Sequence, residues 1–314
     1  MIKVAVIDDA LAGNLIVKNI RIMSYTEVCV REMMTSKETL LVMEEKGIPN
    51  SEIFSHGTNV LNTIYKYADG ADMGIYYYNI FDSENCSSGI LLVETIKKIL
   101  KKEVDFIVIS LSCPEKYRDD FLKLETQVRI TKTILIAASD NFGVNTMPAY
   151  LDFVYGVGTD NSLGLGAYIY RKRNWLKFYC NTAPEFIGEL GKIDIFCGTS
   201  KGTAVIAGRL IAIMDKYGKE YLFDYLSCDK IADDYYKDME RRKYKKKEVL
   251  SKLEESFSYD FTGCDFLDRE IAWSKMNINK FVVFLAKINR ENDIYKLKYS
   301  LFRSISEILD YYSN

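Results

Sequence analysis

The first two thirds of the chain alternate short apolar runs with longer amphipathic segments, and that alternation leaves few folds open. "KVAVID" (3–8) is β-branched and apolar on both faces, so it reads as a strand covered on each side. "GIYYYNIF" (74–81), "VDFIVISLS" (104–112), "TILIAAS" (133–139) and "DFVYGVG" (152–158) read as further strands. Between them, "SGILLVETIKKILKKEV" (88–104) spaces its apolar residues as a helix does and ends in lysines, which suit a helix C-terminus. "RDDFLKLETQVRI" (118–130) reads as another helix. The pattern predicts an α/β fold in three layers, a mainly parallel sheet with helices on its faces. "KGTAVIAGRLIAIMDKYG" (201–218) is a helix of small residues that must be buried nearly all round.

The character changes after about residue 222. "DKIADDYYKDMERRKYKKKEV" is highly charged and carries no strand run, and residues 248–313 read as amphipathic helices. The expectation is an α/β domain over 1–222 and a small all-α domain over 223–314. The cluster "RRKYKKKE" could dock an acidic partner, although a solvated linker or helix face is the plainer reading. At 314 residues with a net charge of -2, the chain gives no reason to expect nucleic acid or an acidic membrane as partner. No apolar run is long enough to span a bilayer, and no signal-peptide pattern opens the sequence, which argues for a cytoplasmic location. The seven cysteines are scattered, odd in number and never in a C-x-x-C pair, so free thiols are expected.

Three residues stand out against this frame. His56 is the only histidine in the chain and opens the helical run "HGTNVLNTIY". Asp8 ends the first strand, at the sheet edge where α/β folds assemble their sites. Ser200 precedes the small-residue helix in "CGTSKGTAVIAG". Each has an ordinary reading: a structural histidine, a turn aspartate, a helix N-cap serine. Their chain order, Asp, His, Ser, is one of the orders found in serine hydrolases.

Six segments in the same order resemble the subtilisin-like serine peptidases, the subtilase family, over residues 1 to about 218. "VAVIDDA" resembles the aspartate motif, "HGTNVLNTI" the histidine motif, and "VISLSCP" the strand leading to the substrate wall. "ILIAASDNFG" resembles the oxyanion segment, "MPAYLDFVYGVG" the stretch that follows it, and "GTSKGTAVIAG" the serine motif. The resemblance implies a serine endopeptidase with Asp8, His56 and Ser200 as its catalytic triad, acting on a peptide or protein substrate such as a leader peptide. It implies substrate pairing along Ser110, Leu111, Ser112 and Cys113. No cofactor is required by this chemistry; the family admits calcium, but no acidic loop here assigns a site.

The sequence departs from the family at several points. Asp140 aligns with the oxyanion asparagine and Asn141 lies one step later, so either can occupy that place. An ionised aspartate has no proton to donate there. Asp9 adds a second carboxylate after Asp8, Ser112 and Cys113 replace two glycines of the pocket wall, and Lys201 and Gly202 replace methionine and alanine. The alternative reading is accordingly a pseudo-peptidase, a peptide- or partner-binding scaffold of the same fold. The C-terminal region bears a weaker resemblance to an acyl- or peptidyl-carrier domain, in "NKFVVFLAKINRENDI" and "SISEILDYY". Asn277, Ile278 and Asn279 stand where a carrier has its prosthetic-group serine, and Ser274 lies too far upstream. That likeness implies an unloaded domain that docks a partner protein; a generic helical appendage is the plainer reading.

Overall fold

The computed structural model describes residues 1–32, 39–84, 86–141, 144–189, 192–233, 244–261, 271, 275–288 and 304–313. Within them the chain forms two compact units, Met1–Thr182 with Cys197–Tyr235, and Ala183–Phe196 with Tyr236–Asn314. The sequence reading divides the chain after 222, and these units divide it differently. A helix at Lys219–Ser227 and a strand at Lys230–Asp233 stay with the first unit, while a segment just ahead of Ser200 goes with the second.

The first unit is built on a ten-stranded sheet. The apolar runs become β1 (Ile2–Asp8), β4 (Met73–Asn79), β5 (Phe106–Ile109), β6 (Ile134–Ala138) and β7 (Val154–Thr159). Together with β2 (Ile22–Glu32), β3 (Thr39–Lys46), β8 (Tyr168–Arg171), β9 (Phe178–Cys180) and β12 (Lys230–Asp233) they take the order β12-β8-β9-β7-β6-β5-β1-β4-β2-β3. From β2 to β9 neighbouring strands are parallel; β3, β8 and β12 are antiparallel additions at the two edges. Strands β2 and β3 mix charged and apolar residues and are half exposed, so they lack the continuous apolar signature of the central strands. The strand β12 corrects the expectation of no strand after 222. Four residues at a sheet edge are held by pairing with β8, which needs no apolar run.

Helices cover both faces. α1 (His56–Tyr67) packs against β1 and against α5 (Gly198–Tyr217), and α5 also lies on β5, β6, β7 and β9. Gly208 makes the helix crossing close: a Cβ there would sit 2.6 Å from the Ile64 carbonyl oxygen. On the opposite face, α2 (Gly89–Ile99), α3 (Arg118–Leu122) and α4 (Glu125–Thr131) bury Leu92, Ile96, Phe121 and Val128 over Ile7, Ile109 and Ala137. The helix expected over 118–130 is thus two short ones. α6 (Lys219–Ser227) follows α5 after Gly218.

The second unit has its own core. A two-stranded antiparallel hairpin, β10 (Glu185–Glu189) and β11 (Lys192–Phe196), contributes Phe186 and Ile193 to a cluster with α7 (Lys246–Phe257), α8 (Lys275–Ile288) and α9 (Ile305–Ser313). Phe186 stacks on Phe281 with ring centroids 5.5 Å apart. The second unit thus joins these helices to a hairpin drawn from residues 185–196. α9 begins with a capping box: the Ser304 hydroxyl accepts the Glu307 N–H at 3.2 Å, and the Glu307 carboxylate accepts the Ser304 N–H at 3.1 Å. Ser274 and residues 289–294 of the carrier-like stretch lie outside the described residues.

Candidate active site

Asp8 is the last residue of β1 and is fully buried, where hydrophobic neighbours would strand a carboxylate without polar partners. Its Oδ1 has two partners, the Asp9 N–H at 2.8 Å and the His56 ring nitrogen Nδ1 at 2.6 Å. Its Oδ2 is buried and meets no hydrogen-bond partner among the described residues. His56 is the first residue of α1, as the sequence predicts, and Ser55 rather than His56 caps the helix by accepting the Thr58 N–H at 3.1 Å. Burial works against a charged imidazole, but the Asp8 charge, its hydrogen bond and the Asp9 charge outweigh it and hold the His56 pKa above its ordinary value.

Asp9 does more than add negative charge. Its Oδ1 accepts the Gly57 N–H at 2.7 Å and its Oδ2 the His56 N–H at 3.2 Å, two of the amides that a helix start leaves unsatisfied. Burial and the Asp8 charge push its carboxyl up to about 6, against the pull of those two amides and of His56. Gly57 is required beside it, because a Cβ at 57 would fall 1.7 Å from the Tyr77 hydroxyl. That hydroxyl donates to the Asp9 carbonyl oxygen at 2.8 Å. The sequence carries the signal for this arrangement only as a second aspartate and a glycine after the histidine.

Ser200 is the third residue of α5. Cys197 occupies the N-cap position without a side-chain bond, so Ser200 is not the cap. Gly198 turns the chain into the helix at φ +85°, a conformation that favours glycine. The Ser200 hydroxyl donates to the Ser110 carbonyl oxygen at 3.0 Å, just past the end of β5, the strand beside β1. Lys201, next in the helix, is fully buried.

Of the two residues competing for the oxyanion place, Asn141 meets the serine segment. The Thr199 N–H donates to its side-chain oxygen at 2.9 Å, and the Thr199 hydroxyl, which donates to the Ser139 carbonyl at 2.6 Å, lies 3.1 Å from the same atom. An N–H must face an acceptor, so the oxygen of Asn141 is turned to Thr199 and its amide NH₂ faces the other way. Gly143 lies outside the described residues. Along the expected substrate wall, Ser110 is buried, Leu111 is half-buried and Ser112 is exposed. Cys113 is buried and pairs by two backbone bonds of 2.9 Å with Met147, and burial lifts its thiol to about 11, which makes it a packing residue and not a nucleophile.

Among the described residues no group of three or more His, Cys, Asp or Glu side chains could hold a metal ion, and no helix is long and apolar enough to cross a membrane. No protein-family model and no curated protein matches the chain. Solved structures do. A lanthipeptide protease is 14% identical, with 69% of this chain and 73% of that one covered, at a TM-score of 0.52. An epidermin leader peptide processing serine protease from Staphylococcus aureus is 16% identical, with 72% and 68% covered, at 0.53. Sphericase is 13% identical, with 72% and 81% covered, at 0.52. At these identities the likeness speaks for architecture, and the three-layer α/β arrangement expected of a subtilisin-like chain is the fold of the first unit.

Proposed function

We propose that the protein is a serine endopeptidase that matures a specific peptide, for example by removing a leader. The observation that carries this reading is the 2.6 Å bond between the chain's only histidine and a fully buried carboxylate, at the sheet edge that also receives the Ser200 hydroxyl. Two of the similar structures are described as a lanthipeptide protease and a leader peptide processing protease, which supports the same substrate class.

In this reading Asp8 fixes the imidazole with Nδ1 protonated and steadies the imidazolium that forms. Ser200 rotates from the Ser110 carbonyl towards His56, gives its proton to Nε2 and attacks the peptide carbonyl carbon. The amide of Asn141 and the N-terminus of α5 face the oxyanion. His56 returns the proton to the leaving amine, and water then releases the acyl group by the same route. The stretch Ser110–Ser112 pairs with the substrate backbone, and Cys113, whose backbone groups are taken by Met147, anchors its end. The helical second unit recruits a partner or the substrate's remote part, and the chemistry needs no cofactor and suits the cytoplasm.

The test is digestion of a proteome-derived peptide library, with new termini read by mass spectrometry for wild type and Ser200→Ala. A restricted set of cleavages that vanishes in the variant supports the peptidase. Retention of uncut peptides without cleavage would move the reading to a peptide-binding scaffold.

A further inference from the structure

We propose that Asp9 is a positioning residue, whose carboxylate clasps the first two amides of α1 and so sets the place of His56 and adds a second negative charge beside it. Asp9 is tied at three points. Its N–H donates to Asp8 Oδ1 at 2.8 Å, its carbonyl accepts from Tyr77 at 2.8 Å, and its two carboxylate oxygens take Gly57 and His56 at 2.7 and 3.2 Å. The acid and the base of the Asp8–His56 pair are thereby joined through one rigid residue. Gly57 and the fully buried Tyr77 close the clasp from the other side.

The titratable groups facing Asp9 come from four elements: Asp8 on β1, His56 on α1, Tyr77 on β4 and Tyr25 on β2. Tyr77 stays a donor throughout, since burial and the two aspartates hold its pKa well above the ordinary value. The clasp needs both oxygens as acceptors, so it is complete when Asp9 is ionised, above about pH 6. For stability the sign is opposite. A carboxyl raised from 3.8 to about 6 burdens the fold above pH 6, and that burden is relieved as the pH falls towards 4. Ionised Asp9 is thus a local cost carried by the fold, and its charge adds to that of Asp8 in favouring the imidazolium.

The peptidase reading is needed for the effect on rate and not for the effect on His56. The single histidine allows both to be measured. The proton NMR titration of the His56 ring is followed in wild type, Asp9→Asn and Asp9→Ser, beside the rate at which a fluorophosphonate labels Ser200. The expected result is a lower His56 midpoint in both variants and labelling slower by roughly 10- to 100-fold, as for loss of a charge-assisted bond at a positioned group. An unchanged midpoint, or unchanged labelling beside a reactive wild type, overturns the proposal. A wild type that is not labelled at all refutes the peptidase reading, while the midpoints still decide the role of Asp9. Should neither variant fold, Tyr77→Phe, which releases the Asp9 carbonyl and loosens the clasp, is titrated in their place: a shifted His56 midpoint supports the clasp, and an unchanged one overturns it.

Discussion

Replacing Gly57 by alanine tests how tightly the candidate site is built. The added Cβ would lie 1.7 Å from the Tyr77 hydroxyl, 2.9 Å from Asp9 Oδ1 and 3.0 Å from the Tyr77 ring carbon that bears the hydroxyl. Tyr77 cannot swing away freely: it is fully buried and stacks on Tyr25 at a centroid distance of 5.8 Å. The variant must either shift the ring or lift the N-terminus of α1 off Asp9. Overpacking of this kind costs about 1–3 kcal/mol. Loss of the bond from Tyr77 to the Asp9 carbonyl adds about 1–2 kcal/mol for a buried group left unpaired. The sum is about 3 kcal/mol, or roughly 6–12 °C in Tm for a unit of this size. Removing the hydroxyl removes the worst contact, so Gly57→Ala should cost less in a Tyr77→Phe background. Urea denaturation of the two single variants and the double variant gives the coupling directly, with about 1–2 kcal/mol of rescue expected. A neutral Gly57→Ala, or strictly additive costs, would refute the packing argument.

Other expectations follow from the same geometry. Asn141→Ala should lower kcat about 100- to 1,000-fold with little change in KM, whereas Asp140→Asn should stay within a few-fold of wild type; steady-state kinetics on any cleaved peptide separates the two residues. Because Asp8 and Asp9 hold the His56 pKa above 6.5, the acid limb of kcat/KM against pH should have its midpoint above 6.5, as the base works only when neutral. The stability that protonated His56 contributes is correspondingly full below 6.5 and lost as the pH rises through its folded value. Phe186→Ala removes a ring that is 1% exposed and stacked on Phe281, and should destabilise the second unit by about 3–5 kcal/mol in a thermal melt.

Much of the first unit can be read from sequence because its central strands are buried on both faces. "KVAVID", "DFIVIS" and "TILIAAS" are continuous apolar runs, and β1, β5 and β6 lie within or close to those stretches. The edge strands escape such reading because β2 and β3 mix charged and apolar residues and β12 is placed by pairing with the distant β8. The hairpin at 185–196 escapes it for another reason: its apolar residues Phe186 and Ile193 complete a core whose other members lie between residues 249 and 312. Asp8, His56 and Ser200 are legible as types in an order. Which side chain lies against Thr199 is not, since the sequence offers Asp140 and Asn141 side by side. Nor is the clasp of Asp9, which depends on a glycine that leaves room for a tyrosine hydroxyl.

The central claim is that Asp8, His56 and Ser200 act as one catalytic unit, and the most direct test is intact-protein mass spectrometry after exposure to a fluorophosphonate. The Ser200 hydroxyl would displace fluoride from phosphorus, leaving one phosphonyl group on the protein. The account predicts a single adduct on wild type, absent from Ser200→Ala and from His56→Ala. No adduct on folded wild type, or an adduct that survives in either variant, would contradict it.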